Sequence, residues 1–162
     1  MADRWVANAS PVILLAKAEV IRFLPQLCHE LVIPAGVVGE VQNARITDAG
    51  RTWLQGEGQR FIQPAPPLHP VLANWRGGAG EAEVLSWALQ NPGFTVILDD
   101  RRARALATRH GLAVLGSLRI IVLTKQRGCI ASAKPALEKL RGVGAWVSDE
   151  LIDRAIALAG EA

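Results

Sequence analysis

Short apolar runs and amphipathic stretches alternate along this chain, and their order sets the expected fold. Trp5-Val6-Ala7 reads as a buried strand stopped by Asn8, after which Ser10-Pro11 predicts a helix N-cap with proline at the first helical position. Residues 12–16 and 20–24 supply helical turns ending near Pro25. Leu31-Val32-Ile33 is a second predicted strand closed by Pro34, with helices expected over 35–43 and 47–54 and a brief strand over 60–62. Beyond a rigid proline-rich connection at 64–70, the pattern predicts a helix over 81–90, a strand over 94–98, a helix over 101–110 closed by Gly111, and a strand over 112–115. The remainder turns helical over 118–126, 133–141 and 149–159, the last stretch capped by Ser148 and followed by Gly160. Strands alternating with helices predict an α/β fold with a central, mostly parallel sheet covered on both faces and a helical C-terminal extension.

Composition narrows this without deciding function. At 162 residues, half of them hydrophobic, the chain is expected to form one domain over 1–162 with a full core, which excludes wholesale disorder. A net charge of +3 permits nucleic-acid binding without demanding it. Cys28 and Cys129 stand far apart in neither a redox nor a metal-ligand spacing and read as small core residues. No basic segment leads into a long apolar one, and Lys17 and Glu19 break the early apolar stretch, so the expectation is a cytoplasmic protein with no membrane span.

The candidate chemistry is acidic. Ligands of open parallel sheets gather at the carboxyl ends of the strands, where Asn8 and the doublet Asp99-Asp100 are expected. Glu81 shares its helical face with Val84, Leu85 and Ala88, Glu40 shares one with Val37, and Glu83 falls on a more lateral face with Trp87 and Gln90. Carboxylates on inward stripes are costly unless paired or metal-bound. Glu40, Glu81, Asp99 and Asp100, with Asn8 as a neutral oxygen ligand, would suit Mg²⁺ or Mn²⁺, which can activate water and stabilise the charge of a phosphodiester being cut. Each acid also has a structural reading: Asp99 or Asp100 can cap the helix after it, and Glu81 can answer its own helix dipole. Arg101, Arg102, Arg104 and Arg109 surround the stripe of Ala103, Leu106, Ala107 and His110, either as a solvated basic face or as phosphate contacts. The glycines at 77, 78 and 80 lack a dinucleotide fingerprint, and His29, His69 and His110 pair with no nucleophile. A phosphoacceptor domain also uses an acidic pocket, but residues 112–117 lack the lysine it needs.

The segments "VANASPVILLAKAEVIRFLPQL", "LVIPAGVVGEV", "GAGEAEVLSWAL", "VILDDRRARALATRHGLAVLGSL" and the tail from Arg127 resemble, in order, the PIN-domain proteins, and among them a prokaryotic nuclease branch related to VapC-type toxins. The resemblance covers nearly the whole chain. It implies a three-layer α/β/α sandwich and a metal-dependent endoribonuclease, its acidic positions falling on Asn8, Glu40, Glu81 and either Asp99 or Asp100, with an amide where most members carry the first carboxylate. RNA as substrate follows, with phosphates steered by Ser10, Arg101, Arg102 and Arg104. A small antitoxin protein and a homodimer are the implied partners. The missing charge at Asn8 favours the alternative of a PIN module that binds nucleic acid or a protein partner with weak or no catalysis. The stripe of Leu151, Ile152, Ala155, Ile156 and Ala159 serves either packing within the chain or contact with a partner.

Overall fold

The computed structural model describes residues 3–44, 48–144 and 147–162. Five short strands, β1 (Arg4–Ala7), β2 (Glu30–Pro34), β3 (Ile62–Gln63), β4 (Phe94–Ile97) and β5 (Val114–Leu115), form one sheet in the order β3-β2-β1-β4-β5. Every pairing is parallel, with Val6 opposite Val32 on one side and Val96 on the other. The sheet is therefore wholly rather than mostly parallel. Trp5, Val6, Ala7, Leu31, Val32, Ile33, Val96 and Ile97 are all buried, because helices flank the sheet and leave these strands no wet face.

The helices are α1 (Ala9–Lys17), α2 (Ala35–Asn43), α3 (Asp48–Gln55), α4 (Ala79–Gln90), α5 (Arg101–Arg109), α6 (Ser117–Gln126), α7 (Lys134–Glu138) and α8 (Asp149–Leu158). Helix α4 packs on β1, β2 and β4, α1 packs on α2, α3 and α6, and α8 packs on α6 and α7. Strands are added to one side of β1 as far as β3 and then to the other from β4, so the winding order, not the strand direction, reverses at β1. Such a switch point opens a crevice beyond the strand ends.

Several local expectations shift. Asn8, not Ser10, is the N-cap of α1, so Ser10 and Pro11 lie within its first turn, where a missing N–H costs nothing. Residues 57–61 form a 3-10 turn before β3, because Gly58 packs against the Trp53 ring, and residues 21–26 form another that contains Pro25. Helix α7 is half its expected length: the chain turns after Glu138, and Arg141 reaches back to Glu138 and across to Asp153, each at 2.8 Å. Helix α5 ends at Arg109, which leaves His110 exposed outside the buried stripe. Cys28 and Cys129 are half-buried rather than core, and burial pushes the Cys28 thiol up to about 12. The expected start of α3 at Thr47 lies outside the described residues.

The C-terminal end is tied down by one carboxylate. Glu161 accepts from the amides of Ala133 (2.8 Å) and Lys134 (3.2 Å), from the Ser132 hydroxyl and from Lys125 Nζ at 3.0 Å. The Ser132 hydroxyl and the Ala133 amide lead in pulling it down to about 2. On α8, Ile152, Ala155 and Ile156 face inward, whereas Leu151 is 44% exposed. Among the described residues no helix is long and apolar enough to cross a membrane.

Candidate active site

Because all the strands run the same way, residues that follow their last positions share one edge. Asn8 follows β1, Leu98-Asp99-Asp100 follow β4, and Gly116-Ser117 follow β5. Helix α4, which leads back into β4, begins at that same edge, and α2 departs from it after Pro34.

Glu40 and Glu81 are brought together by α2 and α4. Glu40 Oε1 accepts the Gly80 amide at 2.8 Å, and Glu81 Oε1 accepts the Gly78 amide at 2.9 Å, so both answer the positive N-terminus of α4. Both oxygens lie within 3.6 Å of the point a Cβ on Gly78 would occupy. The exchange is reciprocal: Glu83, on α4, accepts the Gly36 amide of α2 at 2.9 Å. A Cβ on Gly36 would overlap the Glu83 carboxylate, and one on Gly80 would sit 2.8 Å from that of Glu40. Each helix start carries a glycine because the carboxylate of the other helix seats on it.

The aspartate doublet divides. Asp99 Oδ2 accepts the hydroxyls of Ser10 (3.0 Å) and Ser117 (2.6 Å), and Oδ1 accepts the Ser117 amide at 2.8 Å. Asp100 caps α5 through the Ala103 amide at 2.9 Å. It also faces the glutamates electrostatically. Burial first, then repulsion from Asp100 and Glu40, push the Glu81 carboxyl above its usual range, against the opposing pull of the Gly78 amide and Arg102. Asp100 and Glu40 thus both act on Glu81, while Asp99 is held by two serines.

Asn8 is 5% exposed and its backbone N–H donates to the Ile97 carbonyl at 3.1 Å. Its side-chain oxygen is buried without a donor. A buried acceptor left in this state calls for an ion or a water. Together with the carboxylates of Glu40, Glu81 and Asp100, each with one oxygen turned to a backbone amide and the other left over, this donor chemistry suits a hard divalent cation. Among the described residues no three acids converge as a ready cage. Mg²⁺ commonly takes one or two carboxylates and keeps its waters, so a closed cage is not required.

The basic residues also separate. Arg104 is half-buried, donates to the Leu98 carbonyl at 3.0 Å and lies against Gly116. Arg101 lines a pocket of about 360 Å³ with Asp99, Arg104, Gly116 and Arg119. Arg102 instead sits 5.8 Å over the Trp75 ring and acts on Glu81. Ser10, expected beside substrate phosphates, is 6% exposed and donates to Asp99. A larger cleft of about 670 Å³, lined by Arg22, Glu57 and Arg60, lies by the 3-10 turns that precede β2 and β3, away from all the acids just described.

Glu83, expected on a lateral face, and Ser117 and Arg119 were not among the expected site residues. Ser117 carried a usable signal, a hydroxyl directly after a strand as at Asn8 and Asp99. Glu83 carried none, since only the approach of α2 turns a lateral position inward.

The chain matches the PIN-domain family DUF3368 over residues 4–161 and belongs to it. Its fold is accordingly of nuclease type. No curated protein and no solved structure matches the chain.

Proposed function

We propose that the protein is a metal-dependent endoribonuclease, in which Glu40, Glu81 and Asp100, with the Asn8 amide oxygen, would hold Mg²⁺ or Mn²⁺, some of them directly and the others through its waters. The observation that carries this reading is the buried Asn8 side-chain oxygen left without a donor at the sheet edge where α4 begins with Glu40 and Glu81 seated on its first amides, since a buried acceptor among carboxylates is satisfied by a hard cation. A bound divalent ion supplies positive charge to the phosphodiester as negative charge develops on it. Glu81, the carboxylate with the raised proton affinity, takes a proton from the attacking water. Glu40 and Asp100 orient around it, each fixed by a backbone amide. Asp99 positions the β4–α5 junction through Ser10 and Ser117, and Arg102 tempers the charge near Glu81.

The reading extends to one functional unit over 1–162 and, for a toxin, to a small antitoxin protein and a second copy of the chain as partners. Light scattering after size exclusion reads the last of these. The amide at Asn8 favours a second reading, a nucleic-acid-binding module of low or absent activity, because one negative charge fewer weakens cation binding. RNA cleavage in Mn²⁺ decides between them. The enzyme reading expects cutting that chelation abolishes and that Asp100→Asn lowers by at least about hundredfold. Cleavage unchanged in Asp100→Asn, or RNA affinity with no cleavage at all, overturns it.

A further inference from the structure

We propose that the pocket between α5, α6 and α8 is a mononucleotide subsite, which seats one nucleotide of a single-stranded substrate beside the acidic centre. The placement beside a cutting site rests on the nuclease reading above; the binding chemistry does not. The pocket, about 360 Å³, is lined by Asp99, Arg101, Arg104, Gly116, Leu118, Arg119, Val147 and Leu151. Its one acid, Asp99, keeps its charge but has both oxygens already taken by Ser10 and Ser117, and three guanidinium groups outweigh it. What remains polar in the lining is three guanidinium groups.

These groups differ in fixity. Arg104 forms the floor, tethered to the Leu98 carbonyl at 3.0 Å and fitted so closely to Gly116 that a Cβ there would sit 2.5 Å from its Nη1. Arg101 and Arg119 are exposed at the rim, from α5 and α6 respectively. The opposite wall is apolar: Leu118, Val147 and Leu151, the last 44% exposed although its neighbour Ile152 is fully buried. A phosphate suits the rim, since guanidinium groups bind phosphate oxygens bidentately. A base suits the floor and wall, since unstacked bases lie against guanidinium planes and apolar side chains. An inorganic anion leaves the leucine wall unused, and a neutral nucleoside leaves the rim unused. A nucleotide uses both.

The test is equilibrium binding of 5′-AMP in the presence of EDTA, compared with inorganic phosphate and adenosine. AMP is expected to bind tighter than either. Arg119→Ala and, separately, Leu151→Asp each weaken it by about tenfold, whereas Arg109→Ala, which removes the same charge from the far end of α5, leaves it unchanged. Both pocket variants, at exposed positions, are expected to stay folded by circular dichroism. Phosphate binding as tightly as AMP, or AMP affinity indifferent to both pocket variants, overturns the subsite. AMP binding that follows these expectations in a protein that cuts no RNA leaves the subsite standing and overturns the nuclease reading, so the two failures are distinct.

Discussion

Two glycine-to-alanine substitutions in neighbouring helices should move the protein in opposite directions. Gly39 lies in α2 with nothing within 4 Å of the position its Cβ would take, so Gly39→Ala gains helix propensity of about 1 kcal/mol at no steric cost. Gly80 lies in the first turn of α4, where the new Cβ would stand 2.8–2.9 Å from three atoms of the Glu40 carboxylate. That carboxylate ends a flexible side chain and can swing aside, but it then gives up its 2.8 Å bond to the Gly80 amide. A charge-assisted bond of this kind contributes about 1.5–3 kcal/mol. Set against the same propensity gain of about 1 kcal/mol, the net expectation is a loss of roughly 0.5–2 kcal/mol. At about 2–4 °C per kcal/mol for a chain of this size, calorimetry should show Gly39→Ala melting a few degrees above the parent and Gly80→Ala a few degrees below it. Displacing Glu40 should also cost RNA cleavage about hundredfold in Gly80→Ala, while Gly39→Ala retains it. If Gly80→Ala is as stable and as active as Gly39→Ala, the exchange of carboxylates between α2 and α4 does not order the site.

Three further outcomes follow from named contacts. Ser117→Ala removes the 2.6 Å hydroxyl bond to Asp99 from a fully buried position and should lower stability by about 1–3 kcal/mol, read by denaturant unfolding. Glu81 binds its proton more tightly folded than unfolded, so the native state is relatively favoured as pH falls through its range, and Glu81→Gln should flatten that gain while abolishing cleavage. Cleavage by the parent should itself fall as pH drops and Glu81 becomes protonated. Glu161 has the opposite sign: its carboxyl is held down at about 2, so the stability it supplies is present above 4.5 and disappears as pH falls towards 2. Acid titration of Glu161→Gln should show no such loss.

The edge on which the acids stand was legible because it depends on strand order and burial. Unbroken apolar runs at 5–7, 31–33 and 96–98 leave parallel strands as the economical reading, and every residue just past such a strand then falls at one edge. Glu40 and Glu81 were legible through helical phase, since each shares a face with side chains that prove fully buried, Val37 and Val84. What periodicity could not carry was the approach of one element to another. Whether Asp99 or Asp100 faces the glutamates depends on the serines of α1 and α6, which lie 89 and 18 residues from Asp99. Glu83 reaches the Gly36 amide of α2 only once α4 is docked against that helix. Helix ends shifted for a different reason, since caps, 3-10 turns and the ion pairs of Arg141 are settled by contacts beyond the local window.

A Mn²⁺ titration followed by calorimetry tests the central assignment most directly, because it asks about the cation site without requiring the right RNA. Saturable binding by the parent is expected, weakened at least about tenfold in Asp100→Asn and tightened in Asn8→Asp, which restores a carboxylate beside the strand end. The absence of saturable heat at millimolar Mn²⁺, or one affinity shared by all three proteins, would contradict it.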